Sequence, residues 1–265
     1  MTTPSSYVFD NNSPHAVDQH ALLSRLLDPL TTDRLRRLGI GPGHRCLEVG
    51  AGGGTVAEWL AGRTQPGGNV LATDINTRHL VERANLSVLR HDITTDPLPT
   101  SAFDLVHARL VLMHLPQRHT ILQRLRATLK PGGTLLLDEF DCGYAPVLHL
   151  PPAADPAIFP RFHQALIDHL ASAGADPRWG RHVPAAFTAA GFTDLDVEIH
   201  LDPWPAGSPG CELHYSNSLH LRSGLYAHGA TETHLVTLRT QLRTPGFVIA
   251  SYPIYSVSGR RPPRD

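Results

Sequence analysis

Apolar and polar positions along the chain follow two alternating periods. Apolar runs of strand length recur at residues 45–49, 68–75, 86–93, 105–109, 134–139 and 195–199, with a last one at 246–252. Between them the apolar spacing becomes helical: Val56 to Ala61, a segment that starts near Leu110 and ends at Leu129, Ile158 to Ala173, Trp179 to Ala190, and then residues 212–226 and 231–242. Near the N-terminus, apolar residues at 22, 23, 26, 27 and 30 predict one helix. Thr32 or Asp33 would cap a second that ends before Gly41-Pro42-Gly43. Strands that alternate with helices predict an α/β fold, a doubly wound and mostly parallel sheet. Phe140 to Pro152 and Asp202 to Gly210 read as loops, and Gly259 to Arg264 reads as a frayed basic tail.

The stretch Arg45-Cys46-Leu47-Glu48-Val49-Gly50-Ala51-Gly52-Gly53-Gly54-Thr55 sets the function. A strand ends on an acid, glycines follow, and a helix begins. Such a loop lets the backbone come close to a ligand while the helix start presents free N–H groups. Counting from Gly50, a dinucleotide fingerprint needs its third glycine at position 55, where Thr55 stands. Asp74 closes the second strand 20 residues past Gly54, where an acid can accept from both hydroxyls of a ribose. It would serve any adenosine-containing cofactor, NAD included.

Composition narrows the partners. The chain has 265 residues, 41% of them apolar, enough for a large core, and a formal net charge of −1. No basic field is present to hold a nucleic-acid backbone. No apolar run approaches the ~20 residues of a membrane span. Met1 to Ser6 lacks the regions of a signal peptide, so no membrane or nucleic-acid partner and a cytoplasmic location are expected. Three distant cysteines offer no disulfide framework. The 17 histidines include no H-E-x-x-H, and His214, His220 and His228 do not stack on one helical face, so no metal is expected. Lys130 is the single lysine, a bias of GC-rich, actinomycete-like genomes.

Five elements in order carry a resemblance: the E-x-G-x-G-x-G loop, Asp74, Asp92-Ile93, Phe103-Asp104 and Leu129-Lys130-Pro131-Gly132-Gly133. Over residues 40–140 the chain resembles the class I S-adenosylmethionine-dependent methyltransferases, in particular small-molecule enzymes of the ubiquinone-biosynthesis type. The resemblance implies a Rossmann-like sheet with N-terminal helices and a helical lid inserted near the C-terminus. Residues 1–38 would form an N-terminal helical lid, 39–140 the cofactor-binding core, and 141–265 a substrate lid plus the last two strands. It implies S-adenosyl-L-methionine as cofactor, held by Glu48, Gly50, Ala51, Gly52, Gly54, Asp74, Ile75, Asp92, Ile93 and Arg109. Within that set Asp92 would accept from the adenine amino group, Ile93 would pack on the ring, and Arg109 would close a backbone turn under the methionine part.

In an open parallel sheet, ligands lie beyond the carboxyl ends of the strands. Methyl transfer from a sulfonium is an in-line displacement needing alignment and exclusion of water, with a base optional. Base candidates are Glu139, Asp138, His114, His107, His20 and His214; Glu139 and His114 are favoured as catalytic residues. Tyr7, His20, Trp179 and His214 are expected to touch the acceptor, a small molecule to which Phe162, Trp179, Trp204 and Tyr215 would offer an apolar pocket. Similar actinomycete enzymes modify secondary metabolites, antibiotics among them. A homodimer is compatible with this reading. The alternatives are an NAD-dependent oxidoreductase, disfavoured by Thr55 and by Asp92-Ile93, and a catalytically silent cofactor-binding relative.

Overall fold

The computed structural model describes residues 16–152 and 154–263. Seven strands form the main sheet: β1 (Arg45–Val49), β2 (Asn69–Asp74), β3 (Leu86–Arg90), β4 (Phe103–Arg109), β5 (Leu129–Phe140), β7 (Thr193–His200) and β10 (Ile254–Arg260). Their order is β3-β2-β1-β4-β5-β10-β7. The first five are parallel, and β10 runs antiparallel between β5 and β7. The order reverses between β1 and β4, the position at which a doubly wound sheet opens a crevice.

Each face is covered by helices that match its apolar rows. On one, Cys46, Val70, Ala72, Leu105 and Leu136 meet Val56, Ala57 and Leu60 of α2 (Thr55–Thr64) and Leu35 of α1 (Ala16–Arg37). On the other, Leu47, Val106, Leu135 and Val257 meet α3 (Arg118–Thr128) and α5 (Trp179–Ala189). The 11 residues of α3 follow a short 3₁₀ turn at Leu112–His114. The remaining elements are α4 (Ile158–Ser172), α6 (Pro209–His220), α7 (Arg222–Ala227), α8 (Glu232–Gln241) and a small sheet in the order β6 (Val147–His149), β9 (Val248–Ala250), β8 (Pro203–Pro205). Among the described residues no helix is long and apolar enough to cross a membrane.

Six expectations change. One helix, α1, replaces the expected pair, with Pro29 inside it. A proline removes one backbone hydrogen bond, but buried Leu27, Thr31, Arg34 and Leu35 make a stripe continuous through it. The third strand stops at Arg90, leaving His91, Asp92 and Ile93 in the loop beyond. The run at 246–252 yields only the three-residue β9, and the last main-sheet strand is β10. Gly259 and Arg260 therefore lie in the sheet, and Arg261 is bonded rather than frayed: its guanidinium donates to the carbonyls of Leu129 at 2.6 Å and Ala127 at 3.3 Å. The expected loops at 140–152 and 202–210 contain β6 and β8, and the helix expected at 212–226 is divided into α6 and α7.

Candidate cofactor and acceptor site

A cavity of about 730 Å³ lies beyond the carboxyl ends of β1, β2, β3 and β4. Its floor is the glycine loop. Gly50 adopts φ 67° and Gly52 φ 54°, conformations that cost an L-residue about 1–2 kcal/mol. A Cβ on Gly50 would lie 2.4 Å from Val111 Cγ2, and one on Gly52 would lie 3.1 Å from the His20 ring. Gly54 takes the N-cap of α2. Gly50→Ala is accordingly expected to cost roughly 2–4 kcal/mol of stability from strain and overpacking, and to weaken cofactor binding, read by thermal melting and calorimetry. An unchanged melting temperature would contradict the close approach of Val111.

Asp74 at the tip of β2 fixes the loop. Its Oδ2 accepts from Gly52 N at 2.9 Å and its Oδ1 from Asn76 N at 2.9 Å. Each carboxylate oxygen has a further lone pair to offer. Beyond β3, Asp92 Oδ1 accepts from Thr94 N at 2.8 Å and Thr94 Oγ1 at 2.6 Å, while Oδ2 has no donor among the described residues. The Arg124 guanidinium holds this loop through the Ile93 carbonyl at 2.7 Å. Ile75 and Ile93 line the same wall as the two acids.

Beneath the cavity runs a buried charged row. His107 Nδ1 is 2.7 Å from Glu48 Oε2 and His107 Nε2 is 3.3 Å from Asp138 Oδ2. Thr31 of α1 donates to Asp138 Oδ2 at 2.6 Å. Arg109 donates to Thr31 Oγ1 at 3.2 Å and Asp28 Oδ1 at 2.8 Å. Burial alone would lower the His107 pKa, but the flanking Glu48 and Asp138 carboxylates overcome it and raise it to about 9. Asp138 is held below its ordinary range: burial opposes, and the His107 and Thr31 bonds prevail. The row ties β1, β4 and β5 to α1. Glu48 and Arg109 still line the cavity, whereas His107 and Asp138, considered above as bases, do not.

Gly50, Ala51, Gly52, Asp74, Ile75, Asp92, Ile93, Glu48 and Arg109 are thus brought together; Gly54 sits behind, at the helix start. His114 and His20 also line the cavity. Burial, aided by Arg118, lowers the His114 pKa to about 4. His20 is lowered too, by burial against the opposing pull of Asp74.

Three other expected site residues lie outside the cavity lining. Glu139 does not reach the cavity: it is fully buried, and its Oε1 accepts from Leu112 N at 2.9 Å. Burial raises its pKa to about 8 against the pull of the Leu112, Met113 and Val111 amides. It supports the turn that carries His114. Trp179 is buried at the start of α5 with its ring 5.2 Å from that of His119, outside the cavity. His214 packs behind the wall, 5.2 Å from the Phe159 ring and 5.3 Å from the Tyr252 ring. Tyr7 lies outside the described residues. Sequence reasoning missed Gln19, Val111, Asn217 and Tyr252, which line the cavity from α1, the turn after β4, α6 and the loop after β9. Gln19 donates to Asn217 Oδ1 at 3.3 Å and so joins α1 to α6. No local sequence signal marks these four, because folding alone brings them together.

A sheet of this order, with acids at the tips of its first strands and a glycine loop between, defines a Rossmann-like protein built for an adenosine-containing cofactor. S-adenosylmethionine fits the residues present: carboxylates at Asp74 and Asp92 for ribose and amino group, and apolar Ile75 and Ile93 for the ring. A family model described as a methyltransferase domain matches residues 47–137. Methyltransferase str3 of Strobilurus tenacellus is 31% identical over 196 residues, 71% of this chain and 66% of that protein. The ubiquinone/menaquinone biosynthesis C-methyltransferase UbiE of Cupriavidus taiwanensis is 31% identical over 121 residues, 43% of this chain and 50% of that protein. Phosphoethanolamine N-methyltransferase 2 of Haemonchus contortus, solved with S-adenosylhomocysteine and phosphomonomethylethanolamine, shares the fold. Its TM-score is 0.52 at 15% identity, over 92% of this chain and 52% of that one. The chain spans about half to two thirds of the length of the curated relatives it matches. Residues 47–137 are matched as a methyltransferase domain, and the fold and glycine loop are like those of the class I S-adenosylmethionine-dependent methyltransferases.

Proposed function

We propose that this chain transfers the methyl group of S-adenosylmethionine to an oxygen, nitrogen or carbon nucleophile of a small acceptor. One observation carries the reading: a single cavity is lined both by the two acids that suit an adenosine and by a set of apolar side chains. That apolar wall comprises Met113, Leu115, Phe140, Leu166, Leu170 and Leu213. Bound S-adenosylmethionine supplies a methyl group already activated on a sulfonium. The chain then has to position the acceptor and keep water out, and an apolar wall serves both ends.

His114, on the turn after β4, lines the same cavity as both sets of residues. Its imidazole is neutral near pH 7 because its pKa lies near 4, so it can accept a hydrogen bond from an acceptor O–H or N–H and orient the nucleophile. Its role is closer to alignment than to full proton removal. In this reading residues 141–265 supply α4 and α6 to the wall as the substrate lid and β7 and β10 to the core sheet, and α1 is the N-terminal counterpart of the lid. The acceptor is a small natural-product-like molecule, a reading supported by the apolar wall.

The test compares two variants. His114→Ala is expected to lower kcat by about 10- to 100-fold with S-adenosylhomocysteine affinity unchanged. Glu139→Gln, which replaces a buried carboxyl by a near-isostere able to accept from Leu112 N, is expected to leave kcat within about twofold. A loss with Glu139→Gln as large as that with His114→Ala would reverse the two roles.

A further inference from the structure

Behind the apolar wall lies a cluster of buried polar side chains that do not satisfy one another. Tyr252, 4% exposed, lines the cavity. Its ring is 5.3 Å from the ring of His214, 5.6 Å from that of His163 and 6.1 Å from that of Trp204. The Tyr252 hydroxyl, both ring nitrogens of His214 and Nε2 of His163 have no hydrogen-bond partner among the described residues. Edge-on aromatic contacts hold the rings in place, with Phe140 at 5.4 Å from Tyr252 and Phe159 at 5.2 Å from His214, but such contacts leave hydroxyl and imidazole nitrogens unsatisfied. Each unsatisfied buried polar atom is unfavourable to the folded state, and of the residues that carry these four, Tyr252 is the one that lines the cavity.

The charge of that wall is as informative as its polarity. Arg109 is the sole Lys or Arg among the described residues lining the cavity, and its guanidinium is committed to Asp28 and Thr31. The remaining charged liners, Glu48, Asp74 and Asp92, are acids on the cofactor side. An anionic acceptor would meet no free cation. A group with no hydrogen-bonding atom would leave the Tyr252 hydroxyl unpaired.

We infer that Tyr252 is the specificity-determining residue of the acceptor site, its hydroxyl pairing with a single hydroxyl or carbonyl oxygen on an otherwise apolar, uncharged acceptor. The inference rests on the methyl-transfer reading above and adds to it the acceptor's chemical class. Tyr252 then binds and orients rather than exchanging a proton with the nucleophile. His163 and His214 form the polar backing against which the tyrosine ring is set.

The probes are naphthalene, 2-naphthol and 2-naphthoate, titrated into protein saturated with S-adenosylhomocysteine, in the wild type and in Tyr252→Phe. In the wild type, 2-naphthol is expected to bind about tenfold or more tighter than naphthalene, the worth of one hydrogen bond at a site otherwise unsatisfied, and 2-naphthoate is expected to bind more weakly than 2-naphthol. In Tyr252→Phe the advantage of 2-naphthol over naphthalene is expected to vanish, with S-adenosylhomocysteine affinity unchanged as the check on folding. The inference is overturned if the two neutral probes bind alike to the wild type, if the difference survives Tyr252→Phe, if 2-naphthoate binds best, or if none of the three binds. Failure of S-adenosylhomocysteine itself to bind is a separate result, and it refutes the cofactor reading instead.

Discussion

Replacing Asp74 by alanine is expected to weaken S-adenosylhomocysteine binding by roughly 100-fold or more, with a smaller loss of stability. Two ribose hydroxyls would each lose a hydrogen bond to a charged acceptor, worth about 1.5–3 kcal/mol apiece, and every 1.4 kcal/mol is a factor of about ten. Inside the protein, Gly52 N and Asn76 N would also lose the carboxylate that now accepts from both, so the glycine loop loosens at the point where a cofactor meets it. Asp74→Asn separates the contributions. It retains an oxygen for one amide but has no charge and a single acceptor atom, and its affinity is expected to fall between those of wild type and alanine. Titration calorimetry on the three proteins measures this series directly, and equal affinities across it would show that the ribose lies elsewhere.

The second large effect concerns stability. His107→Ala removes the cation between Glu48 and Asp138, leaving two carboxylates buried without their partner. Breaking a buried ion pair in this way costs about 3–5 kcal/mol, a fall in melting temperature of roughly 6–20 °C for a chain of this size. The pH dependence identifies the cause. A group whose pKa rises on folding, here from 6.5 to about 9, gives stability that is complete below its unfolded value and is lost as pH climbs through its folded value. Wild-type stability should therefore decline as the pH passes from about 6.5 through about 9, and His107→Ala should lack that decline. Asp138 acts in the opposite sense: lowered from 3.8, it contributes above that value and loses its contribution as acid protonates it. Melting curves of both proteins between pH 5 and 10 test the claim, and parallel alkaline slopes would contradict it.

The cofactor half of this molecule was open to reading because its chemistry is local. A glycine loop must follow its strand directly, and the acids that suit a ribose and an adenine must stand at strand tips. Gly50, Asp74 and Asp92 therefore lie close to recognisable apolar runs, and the structure places all three on one cavity. The acceptor half is assembled from distant pieces. Tyr252 follows a three-residue strand, Asn217 lies in mid-helix, and Gln19 reaches Asn217 from 198 residues away. Nothing in their immediate sequence distinguishes them from ordinary core or surface.

Other misreadings have equally specific causes. β10 escaped notice because one row of the strand is polar by design: Ser256 pairs in register with Asp138, and Ser258 accepts from Arg34 at 3.3 Å. A strand with serines on one face lacks the apolar run by which the other strands were found. Arg261 looked like a loose basic end, yet its value is that of a donor to carbonyls that no local pattern exposes. Glu139 stands at a strand tip, as a catalytic acid would, but it is fully buried and the amides after β4 donate to its carboxyl. Proximity to a strand end predicts proximity to the crevice, and it does not say which way the next turn folds.

The central claim is that the glycine loop and the acids of Asp74 and Asp92 form an adenosyl-sulfonium site. Titration calorimetry of the wild-type protein with S-adenosylhomocysteine, and in parallel with NAD, tests it most directly. One molecule of S-adenosylhomocysteine per chain, binding with micromolar or tighter affinity while NAD gives no heat, is the expected result. Binding of NAD in its place, or of neither compound, would contradict the account.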